Sequence, residues 1–147
     1  MQLDNLYQEV ILDHYKRPEN KGLASKYDVQ VHHNNPSCGD DITLNLKDDG
    51  AGHLAITWDG VGCAISMASA SVMSDLLSDK SPEEAVHISN EFLALMQSKG
   101  SLAGDETILE DAVAFAGVSQ YPARIKCALL AWMAYKDASL QVLNRRR

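Results

Sequence analysis

The chain has 147 residues, 46% hydrophobic and 22% charged, the balance of an ordinary globular domain long enough to bury a core without staples. Its net charge is −7, and the one basic run, Arg145-Arg146-Arg147, reads as a solubilising tail rather than a nucleic-acid arm. No apolar run approaches the ~20 residues needed to cross a bilayer, so nucleic acid and membrane are both set aside.

The opening Met1-Gln2-Leu3-Asp4-Asn5 shows no secretory pattern, and a cytoplasmic location is expected. In that reducing compartment three cysteines, an odd number, point to free, metal-bound or catalytic thiols instead of a disulfide framework.

The first predicted element is a helix. Leu3, Leu6, Tyr7, Val10, Ile11, His14 and Tyr15 form one apolar stripe, with Asp4 and Asn5 at its start and Arg17-Pro18 ending it. After the Asn20-Lys21-Gly22 loop the period switches to two. Tyr27, Val29 and Val31 make one strand, Ile42, Leu44 and Leu46 a second, and Leu54, Ile56 and Trp58 a third. A turn-rich loop, residues 34–40, joins the first pair, and the hairpin loop Asp48-Asp49-Gly50-Ala51-Gly52 joins the second.

The remainder reads as helical. Ala64 to Leu77 follows Gly60-Val61-Gly62-Cys63, and Ser81-Pro82-Glu83-Glu84 is a capped start to a helix running to about Gln97. Glu106 to Phe115 reads as a shorter helix. The last, from about Arg124 to Leu143, has Leu129, Leu130, Trp132, Met133 and Leu140 as its expected core. The expectation is a single α+β domain over residues 1–147: a three-stranded antiparallel meander with about five helices packed against it.

The cysteines occupy special places. Cys38 lies in a strand-to-strand loop, Cys63 at a strand-to-helix junction, and Cys127 in what reads as the first turn of the last helix. A free cysteine is often only a small buried apolar residue. Here the helix starts favour thiolates at Cys63 and Cys127, the latter with Arg124 and Lys126 beside it. Gly39 permits a tight turn that brings Cys38 and Asp40 to one centre, and three thiolates with one carboxylate make the four ligands of a tetrahedral zinc site.

Alternatives stay open at this level. The spacing matches no zinc-finger pattern. Asp40 could be a turn residue bonding its own backbone, and Asp41 is a rival carboxylate. His14 reads as a structural imidazole on the helix stripe, while His32 or His33 could reach the Cys38 loop; His53 and His87 have no arguable partner. Ser66, Ser69, Ser71 and Ser74 read as small residues for close packing, since no Ser-His pairing is visible.

Three segments together resemble the cysteine motifs of the SufU/IscU family: Asn35-Pro36-Ser37-Cys38-Gly39-Asp40, Gly60-Val61-Gly62-Cys63-Ala64-Ile65-Ser66, and Arg124-Ile125-Lys126-Cys127-Ala128-Leu129-Leu130-Ala131-Trp132. The opening segment, residues 6–15, is similar to the family's first helix. Within the family, the scaffold branch has histidine where this chain has Lys126, and a Leu-Pro-Pro-Val-Lys segment where this chain has Ser119-Gln120-Tyr121-Pro122-Ala123. The stretch around residues 80–105 is also longer. All three departures resemble the SufU branch.

That resemblance implies a fold like those of SufE and NifU and one zinc ion per chain held by Cys38, Asp40, Cys63 and Cys127. It implies work with a SufS-type cysteine desulfurase, whose pyridoxal phosphate belongs to that partner, and onward delivery to a downstream SUF scaffold. In the family a desulfurase histidine replaces one cysteine on the zinc, which carries over to Cys38 as the sulfur acceptor and Arg124 as a supporting residue. The alternative it leaves is a scaffold holding a transient iron–sulfur cluster on the same cysteines. A purely structural zinc and a free-standing cysteine hydrolase are weaker readings.

Overall fold

The computed structural model describes residues 5–145. Leu3 and Asp4, expected in the first helix, and Arg146 and Arg147 of the basic run lie outside the described residues. Helix α1 (Asn5–Lys16) precedes β1 (Val29–Asn35), β2 (Asp40–Asp48) and β3 (Leu54–Val61); α2 (Ala64–Leu77), α3 (Pro82–Gln97), α4 (Glu106–Leu109), a 3-10 helix (Glu110–Gln120) and α5 (Pro122–Arg145) follow. The strands form an antiparallel sheet in the order β1-β2-β3, the expected meander. No helix among the described residues is long and apolar enough to cross a membrane.

Period-two alternation decides what the sheet presents to the helices. On β2, Ile42, Leu44 and Leu46 are fully buried, and the same face carries Asp40 two residues earlier. On β1, Val29 and Val31 point inward and are followed on that face by His33 and Asn35. Polar residues thus end the core face of both strands where β1 turns into β2. Beyond the outer edge, Gly22 N–H donates to Trp58 O (2.7 Å) and Trp58 N–H to Asn20 O (3.1 Å). The Asn20–Gly22 loop therefore covers an edge strand that would otherwise offer unpaired backbone.

Helix α2 is central and nearly all-round buried, which explains its small residues. Its serines satisfy neighbouring elements rather than a nucleophilic site. Ser69 Oγ donates to Ala128 O (2.6 Å) and accepts from Trp132 Nε1 (3.0 Å). Ser71 Oγ pairs with His14 Nδ1 at 2.8 Å, and His14 Nε2 with Asp111 Oδ2 at 2.9 Å. His14 is thus the structural imidazole expected, tying α1 to α2 and to the 3-10 helix. Trp132 stacks on Phe92 with centroids 4.2 Å apart, joining α5 to α3.

Four expectations are corrected, the first being Tyr27, which precedes β1 and is 45% exposed instead of opening the strand. The segment read as a helix to Phe115 is α-helical only to Leu109 and continues as a 3-10 helix to Gln120. Its buried Leu109, Ala112, Phe115 and Val118 recur every three residues, the period of that tighter helix. Met133 (36% exposed) and Leu140 (51%) are not core. Leu130 and Trp132 are buried as expected, and the rest of the buried side of α5 is Cys127, Ala128, Ala131, Ala134, Tyr135, Ala138, Ser139 and Val142, where alanines let the helix lie close on the sheet. Finally, α5 begins at Pro122, so Cys127 sits in its second turn rather than its first.

The start of α3 is as the sequence predicts: Ser81 Oγ accepts from Glu84 N–H at 3.2 Å, with Pro82 next. Ser81→Ala is expected to lower stability by about 1 kcal/mol, measured as a lower urea midpoint at unchanged slope.

Candidate metal centre

The centre is built where three chain segments meet. Asn35 and Asp40 are paired across the end of the β1-β2 ladder, leaving residues 36–39 as the connecting turn. Cys38 N–H donates to Asn35 O at 3.1 Å, and Gly39, at φ +70°, takes the left-handed conformation that a side chain would strain. That turn carries Cys38 over the end of the core, half exposed. Cys127, on the inward stripe of α5, is fully buried beneath it.

The ligand atoms of Cys38, Asp40 and Cys127 all lie within 4.8 Å of one another, and the Cys38 and Cys127 sulfurs are 3.2 Å apart. Asp41, the rival carboxylate, faces the other way and pairs with His32 Nε2 at 2.8 Å. His33 turns inward to Asp137 Oδ2, also at 2.8 Å, and holds that carboxyl below its usual range. Neither of these histidines joins the cluster. His53 pairs with Asp49 at 3.8 Å, and His87 lies on a surface lined by Lys80, Glu83 and Glu84.

Asp40 decides the character of the site. It is 1% exposed. Its Oδ1 accepts the Cys63 N–H at 2.9 Å, while Oδ2 is shielded from water and has no hydrogen-bond partner. A buried carboxylate oxygen without a partner is costly unless a cation meets it. Burial first, then the Cys38 thiol and the Asp40 carboxyl close by and the neighbouring Cys63, push the Cys127 thiol well above its ordinary range. Thiolates and a carboxylate crowded together cannot all carry charge unaided, and a bound metal removes that conflict. The donor set, sulfur-rich with one oxygen, fits zinc or iron rather than magnesium or calcium.

Cys63 is the fourth predicted ligand, and its sulfur lies outside the three-atom cluster. It caps α2 instead, accepting from Ser66 N–H at 3.5 Å. Its backbone is locked to the site through Asp40 Oδ1. Gly62 shows how tight the junction is: an added Cβ would stand 2.4 Å from Asp40 Oδ1 and 2.7 Å from Ser66 Oγ. Arg124 and Lys126 fall on opposite sides of Cys127. Arg124 shares an open depression of about 400 Å³ with Cys63, Ile65 and Tyr121. Lys126 lines a groove with Asn35, Pro36, Leu129 and Met133.

The model of the NifU-like N terminal domain matches residues 6–128. A protein of Bacillus subtilis named zinc-dependent sulfurtransferase SufU is 47% identical over 132 residues, which cover 90% of this chain and 88% of that one. The Streptococcus pyogenes iron-sulfur cluster assembly scaffold protein IscU is 42% identical over 142 residues, covering 97% and 87%. Among solved structures, a Fervidobacterium islandicum protein described as a cluster assembly scaffold for the SUF system superposes with a TM-score of 0.78 at 31% identity, over 89% of this chain and 94% of that one.

Proposed function

The chain belongs to the NifU-like N-terminal domain family, and from that premise we propose that it is a zinc-dependent sulfur acceptor serving iron–sulfur cluster assembly. Its partner is a SufS-type cysteine desulfurase in the cytoplasm, its onward acceptor a SUF scaffold, and residues 1–147 act as one domain. The observation that carries this reading is the buried, unpartnered Asp40 Oδ2 beside two thiols, one of them presented at an exposed turn.

Cys38, Asp40 and Cys127 are the residues that would hold one zinc ion, with the neighbouring Cys63 thiol as the fourth donor. Bound there, zinc supplies positive charge that keeps adjacent thiols deprotonated at neutral pH. Cys38 is the acceptor because its turn can meet another protein, whereas Cys127 is sealed beneath it. The Cys38 thiolate attacks the outer sulfur of the partner's cysteine persulfide. A bond forms between Cys38 Sγ and that sulfur, the partner's S–S bond breaks, and the partner cysteine leaves as a thiolate. One sulfur moves, with no net redox change. Arg124, beside Cys63 in the open depression, is placed to steady the departing thiolate.

The test pairs metal analysis of the native protein with desulfurase turnover measured in its presence and absence. About one zinc per chain and a turnover increase of about tenfold or more are expected, since a competent acceptor removes the persulfide that blocks the next cycle. Stoichiometric zinc with no change in turnover would leave a structural metal. Iron with releasable sulfide would identify a scaffold.

A further inference from the structure

Asp40 is not the only polar group left without a partner at this centre. Asn35 is 8% exposed, and its Nδ2 is shielded from water and unpartnered. The two residues are directly opposed across the last rung of the β1-β2 ladder, so their side chains share one face. An orphaned donor and an orphaned acceptor therefore belong to cross-strand partners on one face, and no hydrogen bond joins them. A fold seldom buries one such group, and a neighbouring pair of opposite polarity indicates that both are kept for a state in which each is used.

The surroundings narrow the purpose of the amide. Asn35 O is already committed to the Cys38 N–H, and that bond sets the turn. Asn35 also lines the groove that Pro36, Lys126 and Leu129 share. Of its two polar ends, only the NH₂ is attracted to a carboxylate. Asp40 Oδ1 is held by Cys63, which leaves Oδ2 as the oxygen free to meet a cation. A metal-bound carboxylate oxygen keeps a lone pair, and an outer donor to that oxygen fixes the rotation of the ligand.

We propose that Asn35 is a positioning residue of the metal centre, its Nδ2–H donating to Asp40 Oδ2 when that oxygen binds the metal. The proposal rests on the metal-centre reading above. Asn35 touches neither the sulfur being transferred nor the partner; it acts through Asp40.

The test is a double-mutant cycle on zinc affinity, read by competition with a chromophoric chelator, with cobalt-substituted spectra as a second readout. Asn35→Leu removes the donor at similar volume and is expected to weaken zinc binding by about 10-fold or more, the usual cost of losing an outer partner of a ligand. It should also shift the cobalt d–d bands. In an Asp40→Ala background the same change should cost nothing further, because the group it acts through is gone. Equal losses in both backgrounds, or unshifted cobalt bands, overturn the proposal and leave Asn35 a packing residue. Asn35→Ala runs the same cycle should the leucine variant not fold. A wild-type chain that takes no zinc overturns the metal centre itself; wild-type zinc binding with additive losses overturns only the role of Asn35.

Discussion

Replacing Cys38 with alanine is expected to lower persulfide formation on this chain by about 100-fold or more, the order that follows loss of a covalent nucleophile. Neither remaining thiol can take its place. Cys127 is fully enclosed beneath the Cys38 turn, out of reach of a persulfide carried by another protein. Cys63 is half-exposed, but its sulfur accepts the Ser66 N–H as the cap of α2, and its backbone is bound to Asp40. Attack by Cys63 would give up the cap. The fold should tolerate the change, because Cys38 occupies the tip of a turn whose geometry is set by Asn35 and Gly39. Mass spectrometry after incubation with a desulfurase and cysteine reads the result directly. Undiminished persulfide on the variant would remove Cys38 from the mechanism.

The elements that set this geometry were legible to different degrees. The bounds of α2 and α3 follow from local chemistry, a junctional cysteine before a run of small residues and a Ser-Pro cap, and the structure reproduces both. The tight 3-10 path of residues 110–120 was hidden because two turns of an apolar pattern scarcely separate a period of 3.0 from one of 3.6. Pro122 is the first residue of α5, a position where its missing N–H is harmless, so the helix starts two residues before the expected Arg124 and Cys127 falls in its second turn.

At the site, the period-two alternation of the strands carries a usable signal. Counting back by twos from Ile42 places Asp40 on the core face and Asp41 on the outer one, which separates the two carboxylates without coordinates. The same count from Val31 brings His33 and Asn35 inward. No count could pair His33 with Asp137 on a distant helix, nor show that the Cys63 sulfur turns to its own helix. Those are tertiary facts. Resemblance grouped four ligands, and the fold supplies a distinction among them: three atoms already converge, and the fourth residue caps a helix.

That distinction makes Gly62 the position whose smallest change should do most damage. Gly62→Ala is expected to weaken zinc binding by about 10–100-fold and to lower the stability of the metal-free chain by about 1–3 kcal/mol. The new methyl would stand 2.4 Å from Asp40 Oδ1 and 3.1 Å from Asp40 Cγ, and neither can yield freely. Oδ1 is tied to the Cys63 N–H, and the Ser66 Oγ on the other side is tied to Cys63 O at 3.0 Å. Relief requires the carboxylate to rotate, which carries Oδ2 away from the thiols. Gly60→Ala is the comparison: its Cβ would strike the Asp41 backbone oxygen at 2.1 Å, straining the sheet without touching the Asp40 side chain. Both variants should lose stability in urea, but only Gly62→Ala should lose zinc out of proportion to its folding defect. Parallel losses in the two variants would mean that Asp40 has freedom to shift, and that the carboxylate is not held for a metal by the junction that buries it.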